Sequence, residues 1–425
     1  VTVTPRNYGK LAWVVVLTAA LFFFYQFIQL NLPNALNRQL MQTFNLDATG
    51  LGVLASVYFW ANALFLFPAG LLIDRYSPKK ILQFSVTLTI IGTYIFASAH
   101  NYLFAACGRF VVGIAAATCF LSCIRLASRW FPPQRMALVT GLVVTMAMLG
   151  GFIAQSPLVL LAKWAGWRNA VLIDAAFGLV VAIAISSLVH DYPKDALAAA
   201  QADKIKLQDL GFWTSIKLVL MNPNNWLGGI YTALLNLPVF LLGGLWGVRY
   251  LVQVHGVSEM EASYATSMLF VGIIFGSPAI GWLSDYIGRR CLPMMLGAVA
   301  SLLVMLILMY APHLSLTALM VIFFLIGLTS SAQVLSYPTI AELNPIALTG
   351  TAISVASVLI MGSGAIFDPL FGKVLEWNWD RAFVHGQPLY STADFNTAMM
   401  IMPIAFVIGL VIAFLMKETY CQAQA

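Results

Sequence analysis

The chain has 425 residues, of which 61% are hydrophobic and only 9% charged, with a mean hydropathy of +0.88 and a formal net charge of +6. A soluble domain carries about 25% charged residues, so this composition excludes a protein whose whole surface faces water. The positive charge is distributed with respect to a membrane and implies no nucleic-acid partner.

A bilayer span needs about 20 apolar residues. The hydrophobic pattern predicts twelve, at roughly 11–32, 48–74, 79–98, 102–129, 134–163, 168–189, 224–253, 260–284, 290–311, 314–337, 347–376 and 395–416. The first carries Tyr25, Gln26 and Gln29. The second ends in Gly70-Leu71-Leu72-Ile73-Asp74-Arg75-Tyr76-Ser77-Pro78-Lys79-Lys80. Little more than His100-Asn101-Tyr102 separates the third from the fourth, which contains Arg109 and Arg125. Gly141, Gly150, Gly151 and Pro157 mark the fifth. Trp167-Arg168 enters the sixth, which holds Asp174.

Residues 191–223 are the long polar interruption. Apolar residues recur among lysines over 203–220, which predicts an amphipathic helix on the membrane surface. The seventh span contains Pro238, Gly243, Gly244 and Gly247. The eighth ends in Gly281-Trp282-Leu283-Ser284-Asp285-Tyr286-Ile287-Gly288-Arg289-Arg290, which repeats the earlier loop half a chain later. Such a repeat indicates two related bundles with a site between them. The expected architecture is an all-α membrane protein, twelve transmembrane helices in two six-helix pseudo-symmetric bundles, residues 1–190 and 224–425, joined by the linker. The eleventh span holds Asp368, and a polar surface loop, 377–394, precedes the twelfth.

Twelve spans put both termini on one side. That side collects Arg6, Lys10, Arg75, Lys79, Lys80, Arg129, Arg135, the linker lysines, Arg289, Arg290 and Lys417, against Arg38, Lys163, Arg168, Arg249, Lys373 and Arg381 on the other. The positive-inside rule makes that side of this multi-pass protein cytoplasmic. No cleavable signal precedes the first span, which itself directs insertion. Cys107, Cys119, Cys123, Cys291 and Cys421 lack the spacing of a disulfide framework. The sequence offers no metal cluster, no cofactor motif and no nucleophile–base arrangement, and the repeated loop favours transport over a membrane sensor or enzyme. With no Gly-rich ATP-binding loop, any pumping must be secondary.

With the repeated loops placed after the second and eighth spans, the chain looks like a member of the major facilitator superfamily. Arg109-Phe110-Val111-Val112-Gly113 is similar to that family's second motif, and Gly141 to Pro157 to its glycine-proline motif. The first loop departs from the pattern, with Ser77-Pro78 where glycine is usual. Phe22 to Leu30, followed by Leu51 to Phe59, resembles the phagosomal branch of intracellular bacteria, whose members mostly move amino acids and some nucleosides. The resemblance implies a bacterial inner membrane as the setting, and alternating access by a monomer that binds a small solute, protons and membrane lipid. It also implies that the first, fourth, seventh and tenth helices line the cavity.

On that basis the expected substrate site is Tyr25, Gln29, Asn62, Arg125, Asn236, Ser330 and Gln333, with the guanidinium of Arg125 on the carboxylate of an amino acid. A nucleoside carrier and a drug or metabolite exporter are the alternatives. Ionisable residues in a span need a partner or a wet cavity. Arg109 and Asp174 form a candidate structural pair. Burial disfavours the charged form of a carboxyl, so Asp368, and after it Asp174, are the candidates for proton coupling. The gate is expected at Asp74, Arg75, Asp285, Arg289, Arg290 and Glu342. In that gate Asp74 faces the N-terminus of span eleven and Asp285 that of span five.

Overall fold

The structure is a computed structural model that describes residues 9–45, 48–193, 212–311, 314–377, 379, 383–384 and 387–423. Among them are twelve helical segments long and apolar enough to cross a membrane. These are Gly9–Pro33, Val53–Arg75, Pro78–Ala97, Tyr102–Trp130, Pro133–Ala154 and Trp167–Leu188 in the first half. In the second they are Pro223–Gly244, Met260–Ile287, Cys291–Tyr310, Leu316–Glu342, Ile346–Trp377 and Thr392–Leu415. Helices are the form these sequences must take, because hydrocarbon supplies no partner for an open backbone donor or acceptor.

Local signals set the helix ends. Asn101, in the shortest connection, caps the fourth span by accepting from the Phe104 amide at 2.8 Å. Ser258 and Glu261 form a reciprocal capping box at the start of the eighth. The two repeated loops turn by different means. After the eighth span Gly288 takes φ 71°, the left-handed cap that glycine adopts freely. After the second, Ser77 in extended backbone caps the third helix and Pro78 occupies its first turn.

Several spans depart from the simple helices of the sequence pattern, the twelfth by a turn at Met400 between Thr392–Met399 and Ile401–Leu415. The fourth is interrupted between Tyr102–Ala116 and Cys119–Trp130. The seventh runs as Pro223–Leu235, loosens into a π-turn at Val239–Leu245 and resumes at Gly247–His255, consistent with Pro238 and the following glycines. The tenth tightens into 3-10 geometry at Ser331–Leu335 before Ser336–Glu342. A short helix, Asn37–Phe44, follows the first span, and the loop before the twelfth carries a small antiparallel pair, Phe383–Val384 with Gln387–Pro388. Of the expected amphipathic helix, residues 203–211 lie outside the described residues. The rest falls in Phe212–Met221, which exposes Trp213, Leu218 and Met221 and buries Ser215 and Val219.

The halves meet where the second span packs on the eleventh and the fifth on the eighth. Glycine makes both approaches possible. A Cβ on Gly70 would lie 2.8 Å from the Gly350 carbonyl, one on Gly281 2.4 Å from that of Ala137, and one on Gly141 2.2 Å from that of Ser277. Each core also borrows from the other half. Ala137, Val144, Ala147 and Met148 join the core of the second half, and Leu348, Ala352, Ile353 and Ala356 that of the first. Phe120 and Tyr337 meet edge to face across the divide, with ring centroids 4.6 Å apart. The face carrying the two repeated loops is therefore closed.

Candidate functional site

The closed face is held by two carboxylates seated on helix N-termini of the opposite half. Asp74 Oδ1 accepts from the Gly350 amide at 2.8 Å. Its Oδ2 accepts from the Thr351 amide at 2.7 Å and the Thr351 hydroxyl at 2.6 Å. Asp285 Oδ2 accepts from the Leu138 amide at 3.0 Å. These amides are the unsatisfied donors of a helix start, where negative charge is favoured.

Each carboxylate is backed by a buried arginine. Arg125, 1% exposed, brings Nε to 3.5 Å from Asp74 and donates from Nη2 to the Ala347 carbonyl at 3.3 Å. It thus joins Asp74 and Ala347 at the closed face. Fully buried Arg290 binds Asp285 Oδ1 at 2.5 Å, Glu342 Oε1 at 2.7 Å and the Pro133 carbonyl at 2.8 Å. Burial opposes its charge, but Glu342 and Asp285 outweigh that and raise its pKa above the ordinary arginine value. Arg289 is exposed, and its carbonyl accepts from Ser284 Oγ; Arg75 is half-buried at its helix end.

Two further acids join the contacts around the repeated loops, and the sequence reading did not select them. Glu418 accepts from the Arg290 and Cys291 amides at 2.8 and 3.0 Å, and Thr419 beside it donates to Glu342. Asp191 accepts from the Lys79 amide at 2.9 Å and from Ser77 Oγ. Each lies three residues past the last helix of its half, Leu188 and Leu415. That shared offset is the sequence signal that could have found them.

A second polar cluster lies inside the first half. Arg109, 1% exposed, donates from Nη1 to the Gln29 carbonyl at 2.7 Å and holds its guanidinium 4.9 Å from the Tyr58 ring centroid. Its Nε and Nη2 have no hydrogen-bond partner among the described residues. The side-chain amide of Gln29 donates to Asp174 Oδ2. Arg109 and Asp174 therefore do not pair directly; Gln29 stands between them. Gln26 donates to Thr89 Oγ1 at 2.7 Å, while the Oδ1 of Asn62 and the hydroxyl of Tyr25 are buried without a described partner.

The remaining candidates disperse. Ser330 donates to the Gly327 carbonyl of its own helix at 3.3 Å, Gln333 lies in the 3-10 turn, and partly exposed Asn236 ends the first segment of the seventh span. Asp368 falls in the eleventh span, but its side chain lies outside the described residues. No group of three or more metal-ligating side chains occurs among the described residues.

The family model for the Major Facilitator Superfamily matches residues 16–369 and 232–420. A gentisate transporter of Corynebacterium glutamicum is 29% identical over 351 residues, which covers 80% of this chain and 76% of that one. A hexuronate transporter of Bacillus subtilis is 25% identical over 250 residues, 58% of each protein. Among solved structures, the proton:xylose symporter XylE superposes with a TM-score of 0.77 at 15% identity and covers 97% of both chains.

Proposed function

The chain belongs to the Major Facilitator Superfamily and is a secondary transporter, and we propose that it carries a small organic carboxylate, coupled to protons, by alternating access between its two halves. The observation that carries the substrate class is the free edge of Arg109. With Nη1 bound to Gln29, the unpartnered nitrogens are Nε and Nη2. Their N–H bonds form the parallel fork that matches the two oxygens of a carboxylate. Leaving such a cation buried without an acceptor is costly, and an anionic solute answers it. Asn62, one turn along the helix from Tyr58, adds a buried acceptor for a hydroxyl of the solute.

This reading replaces the expected amino acid with an acid that lacks an amine. Gentisate and hexuronate are both carboxylates without an ammonium group. In this site the described carboxylate that could receive one, Asp174, is already bound to Gln29. Arg125 is assigned to the gate, and Asp174 takes the proton. The excess of basic residues supports a cytoplasmic side for the closed face, and closure on that side shuts the solute off from the cytoplasm.

Counterflow in proteoliposomes tests the reading. Labelled gentisate and galacturonate should exchange, and accumulate when the outside is acid, whereas leucine and uridine should not. Exchange of leucine or uridine with neither acid transported would overturn it.

A further inference from the structure

Resting on that reading, we propose that Gln29 is the positioning residue that couples the charge of Asp174 to the anion-binding edge of Arg109. One residue of the first span touches both charges. Its side-chain nitrogen donates to Asp174 on the sixth span, and its main-chain oxygen accepts from Arg109 on the fourth. The two ions form no salt bridge among the described residues, so Gln29 is the described hydrogen-bonded link between them. An amide is suited to this place because it carries a donor and an acceptor at one end. To the ionised carboxylate it presents its N–H. To the protonated acid it can turn and accept the O–H through its oxygen. A glutamine thus satisfies Asp174 in both states inside a core where an unpaired polar atom is expensive.

The charge bookkeeping gives the direction of coupling. Ionised Asp174 competes electrostatically with a solute carboxylate for the field of Arg109. One proton added to Asp174 removes that negative charge, so the anion is held more tightly. The proton leaves with the anion on the other side, and proton and solute move together. Tyr25 on the first span is the other titratable group facing Asp174. The third and fifth spans also pack on the sixth, but among the described residues they bring no charged side chain to Asp174.

Infrared difference spectra of the full chain in lipid nanodiscs, titrated with pH, read this link without a substrate. The carboxyl band missing from Asp174→Asn identifies Asp174. Gln29→Met keeps the length of the side chain but removes the donor, so the band should change frequency and its midpoint should move up by about one pH unit. Gln29→Glu, which places two carboxyls on one proton, should split the titration and serves if the methionine variant does not fold. A band unchanged in frequency and midpoint in either folded variant would overturn the proposal. Failure of the carboxylate reading appears separately, as absence of gentisate binding to the parent protein.

Discussion

At the scale of single residues, the two buried arginines of the fourth span differ in their counter-ions. Arg125 pairs with Asp74 at 3.5 Å, whereas no salt bridge to Arg109 occurs among the described residues and its Nε and Nη2 have no described partner, which is why the proposed solute is placed on Arg109. Arg109→Lys retains the charge but offers a single point donor, so gentisate affinity should fall about tenfold or more, about 1.4 kcal/mol. Isothermal titration should show it, and Arg125→Lys should bind gentisate like the parent. Asp74→Asn preserves shape but removes the charge from three hydrogen bonds, each worth about 1.5–3 kcal/mol when charge-assisted. It also strands Arg125. Spin-label distances between the second and eleventh spans should report a population shifted toward opening on the loop face. Adding Arg125→Leu should recover part of the shift, because the uncompensated cation is then gone.

At the scale of elements, the gate depends on how closely helices of opposite halves approach. A methyl group on Gly141 or Gly281 would meet backbone oxygen at 2.2 or 2.4 Å, well inside contact distance. Backbone cannot rotate aside as a side chain can, so the helices must separate. Gly141→Ala and Gly281→Ala should therefore hold the loop face open and cut the exchange rate at least tenfold in proteoliposomes. Gly362→Ala, which meets nothing within 4 Å, should exchange like the parent. The frequency of glycine in these spans was legible in the sequence. Which glycines face a neighbouring backbone was not, since that depends on the rotation and crossing of two helices.

At the scale of the molecule, each half closes its clasp with an acid that follows its sixth helix. The second clasp is the more extensive, because Arg290 gathers Asp285, Glu342 and the Pro133 carbonyl while Glu418 and Thr419 return from the end of the chain. Arg129 reaches Asp191 only at 4.0 Å. Removing the residues after Met416 should consequently open the loop face more than Asp191→Ala does. Cysteine labelling at the closed interface in inside-out vesicles should show faster modification of the truncated chain. Equal labelling rates would mean that the tail bears no share of closure.

Span number, the twofold repeat and the seating of Asp74 and Asp285 near the loops are written into the sequence by itself. Hydrocarbon demands long apolar helices, and a repeated turn with its acid and basic residues marks equivalent helix ends. The breaks in the seventh and tenth spans were signalled only weakly, by Pro238, glycines and serines that straight helices also tolerate. The tertiary structure alone decided that Arg125 meets Asp74, that Gln29 separates Arg109 from Asp174, and that Glu418 returns to the ninth helix. Those contacts join residues between 51 and 145 positions apart. Helical periodicity specifies which residues share a face of one helix. It does not specify which face of a second helix will be turned toward it.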